Sequence, residues 1–409
     1  MLAVPDEAPD KLLEACLSPD AGVALPASRR LFREVIEPLA DSFDASDCDR
    51  YTALFAPVLA RLDPELSAAE LLARYQRIRT VRSFRGDPAG VRTVFVLSRV
   101  TLGADVAVTS VVLDAARQRF PSAAVCLVGP RKNYELFAAD PRVQHVDLPY
   151  PRSATLLDRV RLSLRLRRLV DQPDAIVLDP DSRLTQLGLV PVCREENYYF
   201  FESRTAGGDG PEPLAVLTAR WLQTALGVEQ PRAFIAPAQD PVPDPPAEIA
   251  VSLGVGENPA KGLPDPWEAA LIAMLVRQGC SLLIDLGAGA EEAERVGSVV
   301  ARSGGRPGQV RTILGSFARF AAAVSSSRFY LGYDSSGQHV AAACGVPLVT
   351  IFAGFPCRRF LDRWSPYGPG PRSVVVAEGR PAQEVLEEVL ARIGEHWDKQ
   401  REGPVPGRS

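Results

Sequence analysis

The chain has 409 residues, of which 46% are hydrophobic and 23% charged, and a formal net charge of −4. This length supports two or three domains with substantial cores, and the composition is that of a globular protein, not a disordered or fibrous one. The slight negative charge gives no global reason to expect nucleic acid. No run of about 18 apolar residues occurs and the acidic N-terminus lacks a basic signal segment, so a cytoplasmic protein is expected. Seven scattered cysteines and three widely separated histidines point to reduced thiols, with neither a disulfide framework nor a metal centre.

Residues 1 to 88 read as helices at Asp10 to Leu17, Ala27 to Ala40, Asp49 to Leu62 and Ser67 to Val81, punctuated by Pro26, Pro38, Pro57 and Pro64. Ser67 and Glu70 form a capping box for the last of them. The nearby Arg74, Arg77, Arg79, Arg82 and Arg85 are either a solvated basic face or a meeting place for an anionic partner.

From Val91 the pattern changes. Residues 91 to 100 read as a strand, followed by a turn through Asp105, an amphipathic helix from Val106 to Phe120, and a strand at 123 to 129. A short helix near Asn133 to Ala139, a strand at 143 to 150, a helix from Ala154 to Val170 and the strand Ala175 to Asp179 come next. Such alternation means βαβ units and a parallel sheet. The helix at 154 to 170 carries Arg159, Arg161, Arg165, Arg167 and Arg168 among leucines. It is either packed on one face with its arginines in water, or placed against an anionic membrane or a charged acceptor. Arg183, just past the last strand, is a candidate acceptor contact.

An aromatic segment, a Gly-rich loop and a long helix occupy 195 to 228, and the proline-dense run from Pro237 to Pro246 is the clearest linker. After it, a strand from Ile249 to Leu253 meets a loop with Gly254, Gly256, Asn258, Lys261 and Gly262, and a helix begins near Pro266. The next strand, 281 to 289, leads to Glu291 and Glu292 at the start of a helix. At 328 to 354 an apolar run ends in Asp334; Ser335, Ser336 and Gly337 open a small-residue helix bearing His339, Gly345 stops it, and a second strand begins at Val346. Open α/β sheets bind ligands beyond the carboxyl ends of their strands, where helix N-termini offer N–H groups to anions. Taken alone, Asp334 could instead cap its helix, and His339 could be structural.

Asp334-Ser335-Ser336-Gly337-Gln338-His339, followed by Ala342-Ala343-Cys344-Gly345-Val346-Pro347, resembles the C-terminal signature of the family 9 glycosyltransferases. This is the heptosyltransferase-like group with the GT-B fold, whose pattern is Asp, Ser/Thr, Gly, two variable residues, His, then Ala-Ala-x-Gly-Val-Pro. The Asp-to-His spacing is kept, while Ser336 stands where that pattern has glycine. Arg363 to Gly368 is similar to the family's closing Pro loop. Leu102-Gly103-Ala104-Asp105-Val106 is similar to its Leu-Gly-Asp-Val with one extra residue, and Phe120-Pro121 to its Phe-Pro pair. The resemblance covers roughly residues 91 to 395.

It implies an α/β protein of the GT-B fold: two Rossmann-like domains with parallel sheets facing a cleft, preceded by an α-helical extension. The boundaries would be 1–88 for the extension, 89–236 for the acceptor domain, 237–247 for the linker, 248–380 for the nucleotide-sugar donor domain, and 381–409 for the C-terminal helix and tail. The implied activity is inverting, metal-independent transfer of a sugar, with heptose the family's example, from a nucleotide-diphosphate donor to a glycan or lipid-linked acceptor. No cofactor is implied beyond the donor substrate. Asp105 would be the catalytic base. Donor contacts would come from Gly256, Asn258, Lys261, Glu291 or Glu292, Asp334, Ser335, Ser336, Gly337 and His339, and an acceptor contact from Arg183. A place at the inner face of the membrane would fit such an acceptor. Alternatives are a 2-epimerase-like enzyme, or a non-catalytic protein that binds sugar nucleotides or glycans.

Overall fold

The computed structural model describes residues 9–63, 65–151, 153–238, 245–255, 258–287, 289–306 and 308–402. Gly256 and residues 239–244 of the expected linker lie outside them. The chain divides into two units. Unit 1 comprises Met1–Tyr134, Pro141–Arg232 and Pro356–Arg363; unit 2 comprises Glu135–Asp140, Ala233–Phe355 and Trp364–Ser409.

Unit 1 holds β1 (Thr93–Leu97), β2 (Ala124–Gly129), β3 (Val143–Asp147), β4 (Ala175–Asp179) and β5 (Tyr198–Phe200), in the order β3-β2-β1-β4-β5. All pairings are parallel, with Val94 opposite both Val125 and Ile176. The central strands are continuous apolar runs because both faces of the sheet are covered. The helix after β1 starts at Leu102, four residues before its expected start, and contains a π-helical turn at Asp105–Thr109 before continuing as Ser110–Arg119. A π turn holds more residues than an α turn.

The first helices are Pro9–Cys16, Ala21–Leu31, Ala45–Leu62 and Ala68–Ile78; the second continues through a π turn, Phe32–Ile36, into Glu37–Asp41. Pro57 lies inside its helix, as the expected span Asp49 to Leu62 has it, whereas Pro26, expected just before a helix starting at Ala27, lies inside one that starts at Ala21. Buried Ala24, Ala27 and Leu31, and likewise Phe55, Val58 and Leu59, hold these helices by packing, which outweighs one lost backbone hydrogen bond each. Leu31, Ile36, Phe55 and Leu71 share one core with Phe95, Val177 and Phe200 of the sheet. Ser67 caps its helix as expected, with Glu70 N–H donating to Ser67 Oγ at 3.1 Å, while Glu70 Oε2 accepts from the Ser67 hydroxyl at 2.7 Å in place of the backbone N–H of a full capping box.

Arg74, Arg77, Arg79 and Arg82 after that cap bond to other parts of unit 1, although only Arg74 is buried. Arg74 is buried, donating to Gly188 O at 2.9 Å and lying over the Tyr198 ring. Arg77 pairs with Glu195 at 2.9 Å, Arg79 with Glu202 at 3.0 Å, and Arg82 donates to Tyr198 O at 2.9 Å. In Leu156–Val170, by contrast, Arg161, Arg165, Arg167 and Arg168 are exposed and only Arg159 is buried.

Unit 2 holds β6 (Ile249–Ser252), β7 (Leu282–Asp285), β8 (Val310–Ile313), β9 (Phe329–Tyr333), β10 (Leu348–Phe352) and β11 (Arg372–Val376), in the order β11-β10-β9-β6-β7-β8. These pairings are parallel too. β8 and the helix Phe317–Ser326 are additions to the elements read from sequence, and Arg358–Trp364 is a helix at the start of the expected loop. The last helix, Ala382–Glu402, is tied to its unit by Trp267 Nε1, which donates to Ala382 O at 2.9 Å.

Candidate functional site

In unit 2, Ser252 at the end of β6 lies in register with Gly332 of β9 and with Asp285 of β7. The loops leaving these three adjacent strands therefore share one edge of the sheet, at its carboxyl ends. The β6 loop carries Lys261 in a 3-10 turn, Pro259–Lys261. The β9 loop carries Asp334, and Lys261 Nζ donates to Asp334 Oδ2 at 2.6 Å. Gln338 Nε2 donates to Asp334 Oδ1 at 2.7 Å and to Trp364 O at 3.2 Å, and it lies 3.4 Å from His339 Nε2. Gln338 Oε1 is buried without a protein hydrogen bond among the described residues.

His339 is buried, with its ring 5.9 Å from Trp364 in an edge-on arrangement. Burial lowers its pKa to about 4, against an opposing pull from Asp334. It is thus neutral near pH 7. Ser335 is the extended residue before the helix Ser336–Ala343, and its side chain does not cap that helix; its Oγ lies 3.4 Å from Tyr330 Oη instead. The first N–H groups of this helix therefore lack the usual side-chain acceptor. The displaced glycine has a packing reason: a Cβ on Gly337 would lie 2.3 Å from Tyr330 Oη, and Tyr330 is fully buried.

The β7 loop settles the orientations of Glu291 and Glu292. Glu291 is exposed, whereas Glu292 Oε1 accepts from Val255 N–H at 3.2 Å. A Cβ on Gly287, which has φ +81°, would lie 2.0 Å from Glu292 Oε2. Asp285, not singled out in the sequence, lies next to this group; burial raises its pKa to about 6, and the Glu292 charge adds to the rise while Gly287 N–H opposes it. Asn258 is exposed and closes its own turn, accepting from Ala260 N–H at 3.1 Å. Gly256 falls outside the described residues.

In unit 1, Asp105 is fully buried. Its Oδ1 accepts from Arg99 N–H at 2.7 Å and Thr109 Oγ1 at 2.5 Å; its Oδ2 accepts from Ser98 Oγ at 2.5 Å and Asn133 Nδ2 at 2.6 Å. Burial raises its pKa, and these four donors work against the rise. The π turn aims the side chain back at the β1 turn, where Val100 has φ 61°, a strained value for a β-branched residue. Arg183 occupies a 3-10 turn, Arg183–Thr185, after β4. Asn133 and Ser98 escaped notice in the sequence because their link to Asp105 is tertiary.

Residues 229–388 match the family described as glycosyltransferase family 9 (heptosyltransferase). The chain is similar to the E. coli heptosyltransferase WaaC solved with ADP: 17% identity, 74% of this chain and 99% of that one covered, TM-score 0.57. The same protein with ADP-2-deoxy-2-fluoro heptose gives 17% identity, the same coverages and a TM-score of 0.54. A family 9 glycosyl transferase from Veillonella parvula DSM 2008 gives 17% identity, coverages of 76% and 91%, and a TM-score of 0.55. No curated protein sequence matches. At such identities these structures show a shared two-domain α/β fold of the GT-B kind. The family match spans residues 229–388, less than half of the chain; that segment is similar to glycosyltransferase family 9 (heptosyltransferase), and together with the shared fold it supports a glycosyltransferase.

Proposed function

We propose that unit 2 binds a nucleotide-diphosphate sugar and that the chain transfers the sugar, with inversion and without a metal ion, to a glycan or lipid-linked acceptor held by unit 1. The observation that carries this reading is the Lys261–Asp334–Gln338–His339 array at the carboxyl ends of β6 and β9, inside the family match. Asp334 fixes the Lys261 ammonium, which supplies positive charge for a departing diphosphate, and the uncapped N–H groups of Ser336–Ala343 add further donors. Glu292 and Asp285 offer carboxylate oxygens to ribose hydroxyls. Asp105 takes the acceptor proton, its burial favouring a basicity above that of a free carboxylate. ADP-linked heptose is the first donor to try, because the similar structures hold ADP and an ADP-heptose analogue.

The test is calorimetric titration with ADP, UDP and GDP, in EDTA and again with magnesium. Saturable binding of one nucleotide in EDTA, weakened in Lys261→Ala, is expected. Failure of all three to bind would overturn the donor assignment; binding only with magnesium would overturn the metal-independent part.

A further inference from the structure

The loop from Leu253 to Leu263 leaves β6 and carries Lys261. Both of its ends are fastened by side chains from elsewhere in unit 2. At its start, Arg295 Nη2 donates to Leu253 O at 2.6 Å. At its end, Leu263 N–H donates to Tyr333 Oη at 3.0 Å. The two fasteners meet on Glu268, whose carboxylate accepts from Arg295 Nη1 and from the Tyr333 hydroxyl. Glu268 stands in the first turn of the helix Trp267–Arg277, and Arg295 belongs to the helix Ala290–Arg302. Between the fastened ends, the turn Pro259–Lys261 rests on Gly354: a Cβ there would lie 2.5 Å from Ala260 O.

Glu268 and Tyr333 are both buried. Such a network keeps one arrangement, because breaking any of its contacts leaves an unpaired polar group in the core. Tyr333 is also the last residue of β9, and Asp334 follows it directly. Successive side chains of an extended chain point to opposite sides. Tyr333 holds the backbone of the loop through Leu263, while Asp334 holds the loop's lysine, 2.6 Å from Nζ. One strand end thus fixes both the path of the loop and the ammonium it presents. An ammonium on a flexible four-carbon stem is placed only as well as the backbone beneath it.

We infer that Tyr333, Glu268 and Arg295 are positioning residues for Lys261, setting through the loop where its ammonium meets a diphosphate. The use of that position for a diphosphate rests on the donor reading above; the fastening of the loop does not.

The experiment uses the full chain with Tyr333→Phe, which removes only the hydroxyl, and separately with Arg295→Gln, a change at a partly exposed side chain. Hydrogen–deuterium exchange resolved to single amides reads the loop. Lys261 N–H donates to Asn258 O at 3.1 Å, inside the loop, and neither substitution removes that acceptor. Both should speed its exchange about tenfold or more. Val299→Ala, a core truncation on the same helix as Arg295, should leave it near the native rate. Calorimetric titration with ADP reads the consequence: Tyr333→Phe should weaken binding about fivefold to tenfold, but about twofold or less when Lys261→Ala is already present. An unchanged Lys261 amide in both variants, or equal acceleration in Val299→Ala, would overturn the positioning role. So would an ADP affinity that Tyr333→Phe leaves intact or lowers equally with and without Lys261. A native chain that binds no ADP would overturn the donor reading instead, and the Lys261 amide then decides the fastening by itself.

Discussion

Lys261 Nζ and Asp334 Oδ2 lie 2.6 Å apart although 73 residues separate them in the chain. The contact exists because β6 and β9 are neighbours in the sheet, so the loops leaving their carboxyl ends meet. Asp334 is buried and Lys261 is partly exposed, and one carboxylate oxygen holds the ammonium in position.

Replacing Lys261 with Ala should lower nucleotide diphosphate affinity about 10-fold to 100-fold, the range of a charge-assisted contact to phosphate. Asp334→Asn should cost less, because the ammonium survives and loses only its anchor. Calorimetric dissociation constants of the two variants check the order; a larger loss in Asp334→Asn would contradict it.

Gly337 has its own prediction. A Cβ there would meet the fully buried Tyr330 ring at 2.3 to 2.7 Å, so Gly337→Ala should destabilise the chain by about 1–3 kcal/mol. Combining it with Tyr330→Leu, which frees the space, should cost less than the sum of the single changes. Urea denaturation of the four chains measures this coupling.

Asp105→Asn should reduce transfer about 100-fold or more while leaving the ADP dissociation constant unchanged. An amide cannot accept four hydrogen bonds as the carboxylate does, so a stability loss of about 1–3 kcal/mol should accompany it. Thr109→Val removes one donor and no carboxylate. If Asp105 acts as a base, Thr109→Val should retain much of the rate and shift the acid limb of the kcat/KM profile upward, because a donor that lowers the Asp105 pKa is gone. An unshifted limb would make Asp105 a structural residue only.

Asp285 should make stability depend on pH. Its folded pKa of about 6 lies above the ordinary value of 3.8, so the folded state holds the proton more tightly than the unfolded chain. That contribution is complete below about pH 4 and is lost as pH rises through about 6, an effect of roughly 1–3 kcal/mol. Relative to Asp285→Asn, the native chain should lose melting temperature between pH 4 and pH 7. Parallel curves would contradict the assignment.

Strand-end chemistry was the legible part of this protein. Apolar runs closing on Asp334, and a loop with Lys261 after an apolar strand, are local patterns, and the structure does bring these residues together. Asp285 closes β7 in the same way and could have been read by the same signal. Ser98, Asn133 and Gln338 could not, since their meaning lies in hydrogen bonds made by tertiary packing. β8 was missed because Arg311 and Thr312 interrupt its apolar character at the edge of the sheet. Pro26 misled because local propensity is weaker than the core that Leu31 joins.

The short segment Pro356–Arg363 belongs to unit 1 although unit 2 precedes and follows it in the chain. Arg359 donates to Phe43 O at 3.1 Å and pairs with Asp44 at 2.9 Å, while Arg363 donates to the carbonyls of Gly208, Gly210 and Glu212 at 2.7 to 2.9 Å. A gene divided at the proline-rich stretch would therefore yield a first fragment missing two of its own arginine clasps. Folding of that half during synthesis cannot be completed until more than a hundred further residues have left the ribosome.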